Sequence, residues 1–229
     1  MRTQSRTRGQ ARRRSRYTAA VNFLSHAVLA AARHDDAAYV LGSMLPDFAS
    51  MAGLRIRHIE HHELARGVEF HHAGDDAFHG APIFLDMMGD ARDELEDDGV
   101  SMGAAMAVSH VGLELLLDGW LVAREGASTY RRALAHAHRL GHHVQWSDEE
   151  GEHRWQGLCT RLAEAPVPEG YVDADFVTER LERILARRPR LALQGDELDA
   201  VRQWTRRAKP RLWSRASELF EQVETRLER

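Results

Sequence analysis

The longest apolar segment of the chain, residues 104–123, carries three ionisable residues at intervals of four. His110, Glu114 and Asp118 stand at i, i+4 and i+8 among valine and leucine residues. On a helix, this spacing places the three side chains on one face. Each of them would be costly at the centre of a bilayer, so the segment predicts a buried helix of a soluble protein. Buried ionisable groups require compensating partners.

Apolar residues recur at helical spacing along most of the remaining chain, and no segment favours a strand. Asp36 and Asp173 are expected N-caps, and Pro82 is expected in a first turn. We expect helices at 21–33, from Asp35–Asp36 to a break at Leu45–Pro46, and at 59–79, 82–97, 100–123, 127–141, 148–164, 174–188 and 196–228. With 229 residues, of which 43% are hydrophobic, the sequence predicts a single all-α domain spanning 21–229.

The charge distribution separates the first residues from the rest. Residues 1–18 contain seven Arg and no acidic residue, and removing them from the formal charge of −4 leaves −11. We expect 1–20 to be a basic disordered tail, or a mis-assigned start with translation beginning at Val21. Seven Arg without interleaved aromatic residues do not indicate a nucleic-acid partner. The sequence leaves the oligomeric state open.

Targeting signals and cysteine usage indicate a cytoplasmic protein. The basic N-terminus is not followed by an adequate apolar segment, so no signal peptide is predicted, and no membrane association is expected. Cys159 is the only cysteine, which excludes an intramolecular disulfide and a Cys-rich zinc module. We expect Cys159 to be a small apolar residue of the core.

A second row of ionisable residues repeats the four-residue interval. His71, Asp75 and His79 stand at i, i+4 and i+8, and His72 and Asp76 form a parallel pair beside them. The alternative is a solvated helix face with His–Asp pairs within the helix. The histidines of two further clusters are expected at the surface: His58, His61 and His62, and His136, His138, His142 and His143.

Imidazole and carboxylate groups without thiolates suit zinc, manganese or iron. We expect His71, Asp75 and His110 to share one divalent ion, and Asp47 to reach it from a loop after Pro46. A site of this kind, with room for water, would activate that water as a nucleophile. The general acid or base is expected to be His72 or Glu114.

Five short segments resemble the acyl carrier protein phosphodiesterase family, whose helical fold is similar to that of HD-domain metal phosphohydrolases. Asn22-Phe23-Leu24-Ser25-His26 is similar to the family's opening motif, and Leu41 to Phe48 resembles its Gly-x-Leu-x-x-Asp-Phe segment. Gly67 to His71 with Asp75, Glu114 to Asp118, and Phe176 with Arg187 to Leu191 resemble the remaining motifs in the same order.

The resemblance implies an HD-like fold and hydrolysis of the phosphodiester that joins phosphopantetheine to acyl carrier protein, usually with Mn²⁺. It places functional or metal-binding roles at His26, Asp47, His71, Asp75 and Asp118. The chain departs from the family pattern at several positions: His72 replaces an Arg, Phe78-His79 replaces Thr-Asp, Glu114 replaces an Asp, Gly119 replaces a His, and His110 is an additional candidate ligand.

These observations predict a metal-dependent phosphodiesterase that uses Mn²⁺ or Zn²⁺. Asp47, His71, Asp75 and Asp118 would hold the metal, and His79, His110 and Glu114 would be additional ligands or the shell of a second ion. Acyl carrier protein would dock on a basic patch of Arg183, Arg187, Arg188 and Arg190. The alternatives are an HD-type hydrolase of nucleotides or small phosphoesters, and a metal-binding helical protein without catalysis, which Gly119 favours.

Overall fold

The computed structural model describes residues 23–229 and confirms an all-α domain. The expected basic tail, residues 1–20, lies outside the described residues. The α-helices of the described part are α1 (Phe23–Arg33), α2 (Ala37–Met51), α3 (His62–His79), α4 (Pro82–Asp97), α5 (Met102–Glu125), α6 (Ser128–Leu134), α7 (Ala137–Gly141), α8 (Gly151–Glu164), α9 (Ala174–Leu185) and α10 (Asp196–Leu227). Two strands, β1 (Ile56–Ile59) and β2 (Val144–Trp146), and a 3₁₀ helix, Glu169–Val172, accompany them.

Several helices begin where the sequence predicts an N-terminus. The Asp36 carboxylate accepts hydrogen bonds from the backbone N–H groups of Ala38 and Tyr39 at 2.9 and 3.0 Å, and so caps α2. The Asp173 carboxylate caps α9 in the same way. Pro82 is the first residue of α4, where its missing N–H costs no intrahelical bond. These three predictions are confirmed.

The predicted end of α2 at Pro46 is wrong. The helix continues through Pro46 to Met51, so Asp47 lies within a helix and not in a loop. A proline inside a helix removes one backbone hydrogen bond and usually bends or breaks the helix. Here the residues on both sides of Pro46, including Leu45 and Phe48, are buried in the core. Tertiary packing therefore maintains the helix across the proline.

The absence of strands, expected from the sequence, is also wrong. Strand β1 pairs antiparallel with β2, with Ile56 opposite Trp146 and Ile59 opposite Val144. The helix expected at 59–79 consequently begins at His62, and the helix expected at 127–141 is divided into α6 and α7. Both strands are three or four residues long, too short to produce a recognisable alternation of polar and apolar residues.

Helix α5 occupies the centre of the domain, as predicted. It packs against α1, α4, α9, α10 and the 3₁₀ helix. Within residues 23–229 it is the helix long and apolar enough to cross a membrane, and 78% of its most apolar stretch is buried inside the protein. The buried side chains of Phe23, Phe48, Tyr130 and Trp155 extend the core on the side of α1, α2, α6 and α8. Cys159 is buried in the core, as expected.

Helices α2 and α3 pack backbone against backbone at a pair of glycines. A Cβ atom at Gly42 would lie 2.3 Å from the carbonyl oxygen of Leu64, and one at Gly67 would lie 2.1 Å from that of Tyr39. No side chain fits at either position, so the two glycines allow the helices to approach closely. The ionisable row on α3 is thereby held against α2.

Candidate metal centre

Four helices converge on one group of buried ionisable side chains. All eight residues predicted as metal ligands lie on these helices: His26 on α1, Asp47 on α2, His71, Asp75 and His79 on α3, and His110, Glu114 and Asp118 on α5. Six of them form two sets whose ligand atoms lie within 4.8 Å of one another. We call His26, His71 and Asp75 the first triad, and His79, His110 and Glu114 the second triad. The expected grouping of His110 with His71 and Asp75 is therefore wrong.

The first triad has the spacing of ligands around one ion. His26 Nε2 lies 3.2 Å from Asp75 Oδ1, and His71 Nε2 lies 3.5 Å from Asp75 Oδ2. Two ligand atoms bound about 2.0–2.1 Å from a tetrahedral ion lie roughly 3.3–3.4 Å apart. The two atoms of the His26–Asp75 contact are buried and lack hydrogen-bond geometry, so neither has a hydrogen-bond partner within residues 23–229.

A backbone contact fixes the orientation of the His71 imidazole. His71 Nδ1 donates a hydrogen bond to the carbonyl oxygen of Ser43 at 2.9 Å, which the close approach of α2 and α3 makes possible. Burial and the neighbouring His26 lower the pKa of His71 to about 3, so this imidazole is neutral. Its Nε2 lone pair then faces the carboxylates of Asp75 and Asp47. A lone pair directed at two carboxylates is repulsive unless a cation lies between them.

Asp47 is the carboxylate that borders both triads. Its Oδ1 lies 4.0 Å from His71 Nε2, and its Oδ2 is buried without a hydrogen-bond partner within residues 23–229. Burial raises the pKa of Asp47 well above its usual range, and the nearby carboxylates of Asp75, Glu114 and Asp118 raise it further. These surroundings favour the protonated form of Asp47, and a nearby cation would favour its ionised form.

The second triad is organised around one carboxylate oxygen. Glu114 Oε1 lies 2.9 Å from His79 Nε2 and 3.0 Å from His110 Nε2, while Glu114 Oε2 is buried without a partner in the described chain. Burial would raise the pKa of Glu114, but the contacts with His110 and His79 lower it to about 2. These contacts favour a role for Glu114 as an anionic ligand or anchor over the expected role as general acid or base.

Asp118 accepts hydrogen bonds from the first turn of α1, a role that the sequence did not indicate. Its Oδ1 accepts hydrogen bonds from the Ser25 backbone N–H and hydroxyl at 2.9 and 2.6 Å, and its Oδ2 accepts one from the Leu24 N–H at 3.1 Å. Asp118 therefore caps the N-terminus of α1 from another helix. Burial raises the pKa of Asp118 to about 7 against these hydrogen bonds. Both oxygens hold the first turn of α1, the helix that carries His26, and Asp118 belongs to neither triad, so its expected role as a metal ligand stays a prediction.

The structure also explains why residue 119 is a glycine. A Cβ atom at Gly119 would lie 2.1 Å from the carbonyl oxygen of Tyr171 in the 3₁₀ helix. A histidine at this position would displace the 3₁₀ helix. The departure from the family pattern at Gly119 is therefore a packing requirement of this chain, and says nothing by itself about a lost activity.

The centre is open to solvent on one side. The side chains of Asp75, His79 and His110 are 27%, 32% and 19% exposed, whereas the other ligand candidates are nearly fully buried. His72 is exposed on α3 with its ring 5.3 Å from that of His71. Arg188 lines a cavity of about 20 Å³ together with His110. Solvent therefore reaches Asp75, His79 and His110.

Sequence reasoning did not find the groups that orient the candidate residues. The carbonyl of Ser43 and the hydroxyl of Ser25 orient His71 and Asp118, but neither contact leaves a sequence signal. The histidines expected at the surface are exposed or half-buried, as predicted, and none of them joins either triad.

Comparisons with models of known protein families, with curated proteins and with solved structures gave no match to this chain.

Proposed function

We propose that this protein is a metal-dependent hydrolase of phosphoric esters, with a divalent cation held by His26, His71 and Asp75 and bordered by Asp47. The observation that carries the proposal is the first triad, in which ligand atoms face one another at ion-ligand spacing and the buried His26 Nε2 and Asp75 Oδ1 have no hydrogen-bond partner within residues 23–229. Buried polar atoms in native proteins nearly always have partners, so a cation is the simplest partner here.

The donor set fits Mn²⁺ or Zn²⁺. It combines imidazole nitrogens with carboxylate oxygens, includes no thiolate and leaves one side open to solvent. When bound, such a cation polarises a phosphoryl oxygen and lowers the pKa of water in contact with it. Ser43 holds the His71 ring in its ligating tautomer, as outer-shell carbonyls commonly do at metal sites.

The preference for phosphoric esters comes from the resemblance to acyl carrier protein phosphodiesterases and from the charges beside the open side. Arg188 supplies a guanidinium in the cavity that it shares with His110, and guanidinium groups pair with phosphate oxygens. His72 is exposed next to His71 and is free to accept or donate a proton. Arg183, Arg187 and Arg190 are exposed near Arg188 and would meet an acidic partner such as acyl carrier protein.

The test is turnover of bis(p-nitrophenyl) phosphate by the purified protein with Mn²⁺ or Zn²⁺. We expect hydrolysis by the wild type and its loss in Asp47→Ala, while the Asp86→Ala variant, at an exposed position of α4, retains the wild-type rate. Equal urea midpoints for the folded variants would separate lost chemistry from lost structure.

Two outcomes would change the proposal. Turnover of nucleotides alone would favour an HD-type nucleotide hydrolase. Metal binding without turnover of generic diesters, nucleotides or holo acyl carrier protein would favour a metal-binding helical protein without catalysis.

A further inference from the structure

We infer that His79, His110 and Glu114 hold a second divalent cation beside the first, so that the centre binds two ions. The inference rests on the proposed function and extends it from one ion to two.

The geometry of the second triad supports a bound cation. Its three ligand atoms come from two helices and lie within 4.8 Å of one another. Both imidazole Nε2 atoms converge on Glu114 Oε1, at 2.9 and 3.0 Å. Two ligand atoms at right angles and about 2.1 Å from an octahedral ion lie roughly 3.0 Å apart. The side chains therefore already have the spacing of neighbouring ligands.

The second oxygen of the Glu114 carboxylate also supports a bound cation. Glu114 is fully buried, and its Oε2 has no hydrogen-bond partner within residues 23–229. If the triad were only a pair of imidazole donors on a carboxylate, one buried oxygen would stay unsatisfied, which destabilises the folded protein. A cation bound by the carboxylate removes this cost, and the partly exposed His79 and His110 leave space for further ligands from solvent.

The second triad lies next to the first, so that two ions would be neighbours. Asp75 of the first triad and His79 of the second are one helical turn apart on α3. Asp47 is near the carboxylates of both Asp75 and Glu114, and its Oδ2 is unpartnered. Asp47, Asp75 and Glu114 thus supply carboxylate oxygens along both triads, as a centre with two adjacent ions requires.

Two adjacent cations suit a particular class of reaction. In two-metal hydrolases, ions about 3.5–4 Å apart stabilise the attacking and leaving oxygens of a phosphoryl group during in-line displacement. The chain supplies the ligands for both ions from rigid helices, and α3 contributes to both. The substrate class that this arrangement fits is a phosphoric ester whose phosphoryl oxygens contact both ions, with Arg188 beside the second.

The test counts metal ions in the full-length protein. Metal-free protein is dialysed to equilibrium against Mn²⁺, and bound metal is measured by mass spectrometry for the wild type, His110→Ala, Glu114→Gln and the control Asp86→Ala, which alters an exposed residue of α4. We expect two ions in the wild type and the control, and one in each second-triad variant. Electron paramagnetic resonance should show coupled Mn²⁺ in the wild type and an isolated six-line signal in His110→Ala.

The outcomes separate this inference from the proposed function. One ion in the wild type, retained in His110→Ala and Glu114→Gln but lost in Asp75→Ala, would overturn the second site and leave the proposed function standing. No bound ion in any form would overturn both. Because Glu114→Gln is nearly isosteric and His110 is partly exposed, a urea midpoint close to that of the wild type, both measured without metal, shows that a lost ion reflects a lost ligand.

Discussion

Replacing Asp118 with alanine removes the carboxylate that caps α1 from α5. The Leu24 N–H, the Ser25 N–H and the Ser25 hydroxyl, which donate at 3.1, 2.9 and 2.6 Å, lose their acceptor in a buried environment. Because each unsatisfied buried donor costs about 1 kcal/mol or more, we expect Asp118→Ala, which leaves three of them, to lower the free energy of unfolding by at least about 3 kcal/mol. That loss is a large fraction of the stability of a typical domain.

Two milder variants are expected to lower the free energy of unfolding by smaller amounts. Asp118→Asn keeps the size of the side chain and one acceptor oxygen, and is expected to cost about 1–3 kcal/mol. Ser25→Ala removes only the hydroxyl donor, and is expected to cost about 1 kcal/mol. Urea titrations with unchanged m-values measure these differences directly. Asp118→Asn should also keep the stabilisation that added metal gives the wild type, because the first-triad ligands are untouched.

The opposite pattern would refute the capping role. If Asp118→Asn had the unfolding free energy of the wild type but no longer bound metal, then Asp118 would be a ligand and the hydrogen bonds to α1 would be incidental. If Ser25→Ala cost as much as Asp118→Ala, then the hydroxyl, and not the two backbone groups, would account for the effect.

Further substitutions test the packing and the substrate side of the centre. Gly119→Ala should destabilise the protein by roughly 1–3 kcal/mol because its Cβ would meet the Tyr171 carbonyl at 2.1 Å, whereas Gly89→Ala on α4, where nothing lies within 4 Å, should stabilise it by about 1 kcal/mol. Equal urea midpoints for the two variants would contradict this close contact. Arg188→Ala should raise the KM for a phosphodiester about tenfold or more through loss of a charged hydrogen bond, while Arg187→Ala leaves it unchanged. Equal effects of the two arginine variants on KM would exclude a specific contact by Arg188.

The helices and their caps were accessible from the sequence because local interactions determine them. Asp36, Asp173 and Pro82 act within one turn of the helices that they begin, and the apolar row of α5 is continuous. The same local rules failed at Pro46, where burial on α2 outweighs the missing hydrogen bond. They also failed at β1 and β2, because those strands pair across more than eighty residues of chain.

The candidate site likewise combines features that follow from local residue spacing with features that depend on contacts between distant residues. The four-residue intervals on α3 and α5 correctly placed each row of ligand candidates on one helix face. His110 belongs to the second triad because of the way α3 and α5 pack against each other. Residue spacing along either helix does not indicate this packing. The capping of α1 by Asp118 likewise depends on a contact between residues more than ninety positions apart.

The direct test of the central claim is an anomalous difference map from a crystal of the metal-loaded protein. With Zn²⁺ and data collected on both sides of the zinc absorption edge, we predict a peak within bonding distance, about 2.0–2.2 Å, of His26 Nε2, His71 Nε2 and the Asp75 carboxylate. Zinc only at exposed histidines such as His58 or His138, with water joining the first-triad side chains, would contradict the claim.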